Sequence, residues 1–138
     1  MIELPKEKIK STEKNPKFMI LFGKPKCGKT TITSHLENNL IIDLEEGSDY
    51  VDALKVKVKS IGELKEVKKA IIEAGKPYKY ITLDTATALE EMVMPLAIAK
   101  YKDTPIGKAF KGTDVRHLPN GAGYLYLREA YQEVAAIK

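Results

Sequence analysis

Four stretches of strand length punctuate the chain, and helical spacings fill most of the intervals between them. Phe18–Phe22 and Leu40–Leu44 are short apolar runs, and Tyr80–Thr85 is a third whose apolar part ends at Asp84. Leu54–Lys59 alternates instead, with Leu54, Val56 and Val58 on one face and Lys55, Lys57 and Lys59 on the other, the pattern of an edge strand. Helices are predicted after the first run, through Thr31–Glu37, and from the capping-box spacing of Ser60 and Glu63 to the break at Gly75 and Pro77. A third covers Ala86–Tyr101, where Pro95 predicts a kink or a restart. The last covers Gly123–Lys138, with Leu125, Leu127, Ala130, Tyr131, Val134 and Ile137 available for burial. Strands alternating with helices predict an α/β fold, a mostly parallel sheet with helices on both faces.

Two segments fall outside this order. Residues 1–16 have no sustained period and hold four of the five lysines that precede Phe18, so they read as a flexible basic arm before a core at 17–138. Residues 102–122 break every periodic pattern. They carry Lys102, Lys108, Lys111 and Arg116 against Asp103 and Asp114, interleaved with Phe110, His117 and three glycines. That composition suits a loop that binds single-stranded DNA, with Lys108, Lys111 and Arg116 on phosphates and Phe110 stacked on a base; a plain connection is the alternative.

The strongest chemical signal lies between the first run and the first helix. Gly23-Lys24-Pro25-Lys26-Cys27-Gly28-Lys29-Thr30 fills each fixed position of the phosphate-binding pattern G-x-x-x-x-G-K-[ST], in the strand, loop, helix order the motif needs. Backbone N–H groups must approach the triphosphate, so Gly23 and Gly28 stand where a side chain would block the anion or demand an unfavourable φ. Lys29 is the candidate for the β- and γ-phosphates, Thr30 for Mg²⁺, and the nucleotide contacts extend through Thr31. Cys27 contributes its backbone amide.

Acids at the strand ends supply the rest of the site. Asp43, Glu45 and Glu46 close the Leu40–Leu44 run, and ligands of a parallel sheet bind beyond the carboxyl ends of its strands, so all three are expected to face the nucleotide. Glu45 is the candidate for the base that orients attacking water. Asp84, ending a later apolar run, is the candidate carboxylate for Mg²⁺.

Composition adds limits. Of 23 basic residues only Arg116 and Arg128 are arginines, which leaves no bidentate arginine cluster, and the net charge of +4 permits nucleic-acid contact without demanding it. The one cysteine excludes an internal disulfide; with no signal peptide and no apolar run of 18 residues, a cytoplasmic protein without membrane contact is expected. His117 is a poor metal-ligand candidate, having only His35 as a histidine partner.

The phosphate loop, then Asp43-Leu44-Glu45 closing one strand and Asp84-Thr85 closing a later one, resembles the landmark order of RecA-type ATPase cores, and of small phage single-strand annealing or recombination ATPases among them. The resemblance implies ATP and Mg²⁺, Glu45 as the water-activating glutamate, Asp49 and Tyr50 near adenine, a DNA-binding loop at 102–122 and a homo-oligomer with sites between subunits. It also implies a further strand, after the helix at 123–137, between the phosphate-loop strand and the Asp84 strand. Nothing in this sequence supplies it, so the resemblance is to a fold incomplete at its carboxyl end. The function expected is an Mg²⁺-dependent ATPase acting on single-stranded DNA in phage recombination or replication. A small-molecule kinase and a non-hydrolysing loader are the alternatives; the absence of an N-K-x-D segment argues against a GTPase.

Overall fold

The computed structural model describes residues 18–135; the predicted arm at 1–16 and the expected burial of Ile137 lie outside them. Three parallel strands form the sheet: β1 (Asn39–Asp43) is central, β2 (Leu54–Lys57) lies on one side and β3 (Tyr80–Asp84) on the other. The register sets Leu40 opposite Leu54 and Ile81, and brings Asp43 beside Lys57 and Asp84. As the alternating pattern predicts, β2 is an edge strand.

Successive residues of β1 point to opposite faces, and this divides the packing. Leu40 and Ile42 join the main core with Leu64 and Ile71 of α2 (Ile61–Glu73), Leu89, Val93, Met94 and Ala97 of α3 (Ala86–Lys102), and Leu127, Ala130 and Val134 of α4 (Gly123–Ala135). On the other face Asn39 reaches the phosphate-loop helix α1 (Lys29–Ser34): its amide donates to Thr33 O at 2.8 Å and its oxygen accepts from Thr82 Oγ1 at 3.0 Å. One buried amide therefore ties α1, β1 and β3 together.

Local signals set the ends of the helices. Ser60 caps α2 by accepting from Glu63 N at 3.2 Å, while Glu63 reaches back to Lys59 N at 2.7 Å, one residue before the usual partner of a capping box. Gly75 ends α2 at φ 75°, a left-handed backbone that favours glycine. Thr85 caps α3. That helix runs through Pro95 without restarting. In α4 the expected apolar face is narrower than the spacing suggests, since Leu125 is exposed while Leu127, Ala130 and Val134 are buried. No helix among the described residues is long and apolar enough to cross a membrane.

One expectation fails, and a second segment is more ordered than its pattern suggests. Phe18–Phe22 is not a strand: it runs into the loop unpaired, with Phe18 79% and Phe22 100% exposed. A strand needs a neighbour for its backbone N–H and C=O groups, and none of the described strands pairs with this run. Residues 103–122 hold no strand and no long helix, in line with their broken periodicity, yet they are ordered. They fold into short 3₁₀ turns at Gly107–Ala109, Val115–His117 and Pro119–Gly121, anchored by the fully buried Val115. Phe110 packs edge-on against Tyr101 with centroids 5.3 Å apart, and Tyr101 also meets Tyr126 of α4.

Close approach fixes two glycines in this region. A Cβ on Gly107 would overlap the Tyr101 carbonyl, and one on Gly123 would overlap the Val115 carbonyl, in both cases backbone that cannot rotate away. Gly123→Ala is expected to lower stability by about 1–3 kcal/mol, the usual range for overpacking, whereas Gly62→Ala on exposed α2 is expected to be neutral or stabilising. Urea unfolding of the two variants checks this, and equal midpoints would contradict it.

Candidate functional site: a phosphate loop beside two strand ends

Parallel pairing puts the carboxyl ends of β1 and β3 side by side, and α1 is stapled against them. Thr30 Oγ1 donates to Asp84 Oδ2 at 2.5 Å, so the last position of the phosphate-loop motif meets the end of β3 directly. The next residue, Thr85, donates from Oγ1 to Glu45 Oε1 at 2.7 Å. Consecutive residues of one strand end thus hold the loop helix on one side and the β1 exit on the other.

The loop itself is shaped by its glycines. Gly28 has φ 90°, and a Cβ on Gly23 would stand 2.7 Å from Cys27 Sγ, so one glycine answers a backbone need and the other a close approach. Lys26 also has positive φ, at 60°. The Lys29 ammonium folds back over the loop, donating to Gly23 O at 3.0 Å and Lys24 O at 2.8 Å, with Cys27 Sγ at 3.8 Å. Lys24, Pro25, Lys26 and Cys27 are exposed around it, and Thr31 is exposed on α1. The helix is only six residues long, so the loop amides and Lys29, rather than a long helix dipole, supply the positive field.

The three acids after β1 separate into three environments. Asp43, 1% exposed, accepts four hydrogen bonds: Glu45 N at 3.0 Å, Gly47 N at 3.2 Å, Ser48 N at 3.0 Å and Ser48 Oγ at 2.5 Å. Burial alone would raise its pKa; the bonds from Ser48, Glu45 and Gly47 outweigh burial and hold it below the ordinary carboxylate value. Its task is to fold the turn that presents Glu45. Glu46 pairs with Lys59 at 2.6 Å on the surface, and only Glu45 reaches the strand-end cluster. The expectation that all three face the nucleotide is corrected accordingly.

Other candidates lie apart or are engaged elsewhere. Asp49 is paired with Lys57 at 2.8 Å on the β2 side of the sheet, and Tyr50 beside it is 96% exposed. Arg116, offered by its sequence position to DNA, is clamped by Asp114 at 2.7 Å, Glu91 at 2.8 Å and Glu90 at 3.1 Å, tying the Val115–His117 turn to α3. Its hydrogen bonds lower the pKa of Asp114 from the ordinary carboxylate value. Phe110 is half-buried and packs against Tyr101. Lys108 and Lys111 are exposed. Sequence reasoning missed Thr85 and the inward role of Asp43. A threonine directly before a predicted helix is a cap signal, and Gly47-Ser48 after Asp43 is a turn signal, and those were the available clues.

Thr30 Oγ1 and Asp84 Oδ2 are hard oxygen donors converging beside the loop, which fits Mg²⁺ held by one carboxylate together with phosphate oxygens. Among the described residues no cluster of three or more His, Cys, Asp or Glu could hold a metal without a substrate.

Asp43→Asn is expected to cost about 1.5–3 kcal/mol at neutral pH, the scale of hydrogen bonds to a charged acceptor. Because the native pKa of Asp43 is lowered, its contribution is full above the unfolded value near 4 and is lost as pH falls through the native value. The gap between wild type and variant in urea melts should therefore narrow below about pH 4; a gap constant down to pH 2 would contradict this.

A protein-family model described as an AAA domain matches residues 15–134, a span that takes in the loop, all three strands and α4 up to its last residue. No curated protein and no solved structure matches the chain. The phosphate loop, the parallel sheet and a match over most of its length establish that the chain belongs to the AAA domain family of P-loop ATPases.

Proposed function

We propose that the chain binds ATP with Mg²⁺ in the Gly23–Thr31 loop and hydrolyses it, with Glu45 as the residue that orients water. The observation that carries this reading is the convergence of three elements on one point: Thr30 on Asp84, and Glu45 on Thr85, the residue after Asp84. Loop amides and the Lys29 ammonium take the β- and γ-phosphates, Lys29 exchanging its loop carbonyls for phosphate oxygens. Thr30 and Asp84 would hold Mg²⁺, which when bound neutralises charge on the phosphates. Glu45 accepts a hydrogen bond from the attacking water, which adds to the γ-phosphorus as the bond to the β-γ bridging oxygen breaks, leaving ADP and phosphate.

The RecA-type assignment, a homo-oligomer with an arginine or lysine reaching across from a neighbouring subunit, the adenine contact at Asp49, and a role on single-stranded DNA in phage recombination rest on the sequence resemblance. The DNA role is supported by the exposure of Lys108 and Lys111; in the unliganded chain Arg116 is paired with Asp114, Glu90 and Glu91, and Phe110 packs against Tyr101.

Lys29→Ala should weaken ATP binding about tenfold to a hundredfold, as expected for loss of charge-assisted contacts. Glu45→Gln should keep ATP binding while slowing turnover about a hundredfold or more. Equilibrium binding and phosphate release measure the two, and a Glu45→Gln variant working at the wild-type rate would remove Glu45 from its role. Single-stranded DNA should raise the wild-type rate, and the double change Lys108→Glu, Lys111→Glu should abolish that rise. Turnover indifferent to DNA would confine the reading to an ATPase without a DNA partner, and transfer of phosphate to a nucleoside instead of water would make the chain a kinase.

A further inference from the structure

Thr85 has one hydroxyl and two duties. Its proton goes to Glu45 Oε1 at 2.7 Å, while its oxygen accepts from Ala88 N at 3.3 Å and so caps α3. Glu45 itself is exposed and stands on an irregular turn beyond β1, where a free glutamate would sample several rotamers. The Asp43 hydrogen bonds fix the backbone of that turn at Glu45, Gly47 and Ser48, yet none of them restrains the Glu45 side chain. Thr85 is the side chain that does, and it is itself held by the cap of a seventeen-residue helix whose first turn carries the buried Leu89.

We infer that Thr85 is a positioning residue for Glu45, an inference that rests on the ATPase reading above. With Oε1 engaged by the Thr85 hydroxyl, Oε2 is the oxygen left to accept from water. A single donor therefore selects both the rotamer of the glutamate and the oxygen it offers. Asp84 and Thr85 are adjacent, so the same strand end that meets Thr30 fixes the distance between the phosphate side of the site and the water side. A valine here would keep the shape of threonine, lose both hydrogen bonds and release Glu45; a serine would keep the hydroxyl and both bonds.

The test compares the full chain with Thr85→Val and Thr85→Ser, reading kcat and KM for MgATP with the melting temperature of each variant. Misplacing a reacting group by about 1 Å can cost on the order of a hundredfold in rate, so Thr85→Val should lower kcat at least about tenfold with KM little changed, and Thr85→Ser should restore most of it. Ala88→Pro removes the capping N–H and leaves the Thr85 hydroxyl in place, a change tolerated in the first turn of a helix; it should lower the melting temperature while keeping kcat near wild type. A Thr85→Val variant with wild-type kcat would overturn the inference while leaving the ATPase reading intact, as would an equal loss of kcat in Ala88→Pro, which would assign the effect to the cap. Absence of turnover in the wild-type chain would overturn both.

Discussion

Because β1 and β3 run parallel with Asp43 opposite Asp84, two acidic strand ends are forced to the same edge of the sheet, and everything chemical in this chain is arranged around that juxtaposition. Two carboxylates so close would repel unless each found its own donors. Asp43 is buried and satisfied by the backbone and hydroxyl donors of the turn that follows it, whereas Asp84 meets Thr30 of α1. The buried acid holds its own turn together, and the partly exposed one stands against α1. Asn39 makes the same edge rigid from the other end of β1 by holding α1 and β3 at fixed spacing.

Position along the chain is a poor guide to what these acids do; hydrogen-bond supply is a better one. Asp43, Glu45 and Glu46 lie within four residues, and they become an internal staple, a partner of Thr85 and a surface ion pair, according to which donors each meets. The lysines of β2, with Lys59 just beyond it, follow the same logic. Lys57 and Lys59 are paired with Asp49 and Glu46, and Lys55 donates to Ser48 O and Val51 O, so the edge is charged without forming a free basic stripe.

Much of this was legible before any coordinates. The strands at 39–43, 54–57 and 80–84, the capped start of α2, the Gly75 stop and the α/β class all follow from period and punctuation, since each is decided within a few residues. What depended on partners was not legible. Phe18–Phe22 has the composition of a strand, but composition does not supply a neighbour to hydrogen-bond with. Residues 102–122 bury Val115 and pack Phe110 one side chain at a time, through close approaches at Gly107 and Gly123 that leave no periodic trace. Arg116 reads as a ligand for phosphate in sequence and is consumed by Asp114, Glu90 and Glu91 in space. Within the site, the loop residues could be named from spacing alone. The Thr85 hydroxyl could not, because its importance comes from a residue forty positions away.

The central claim, that the Thr30–Asp84 convergence beside the Gly23–Thr30 loop is where a magnesium nucleotide sits, is tested most directly by a crystal structure of the chain with Mg²⁺ and a non-hydrolysable ATP analogue. The account predicts phosphates within the loop, metal density against Thr30 and Asp84, and Lys29 moved from the Gly23 and Lys24 carbonyls onto phosphate oxygens. Nucleotide bound elsewhere, for instance in the apolar groove between β2 and α2 lined by Leu54, Val56, Val67 and Tyr78, with the loop unchanged, would contradict it.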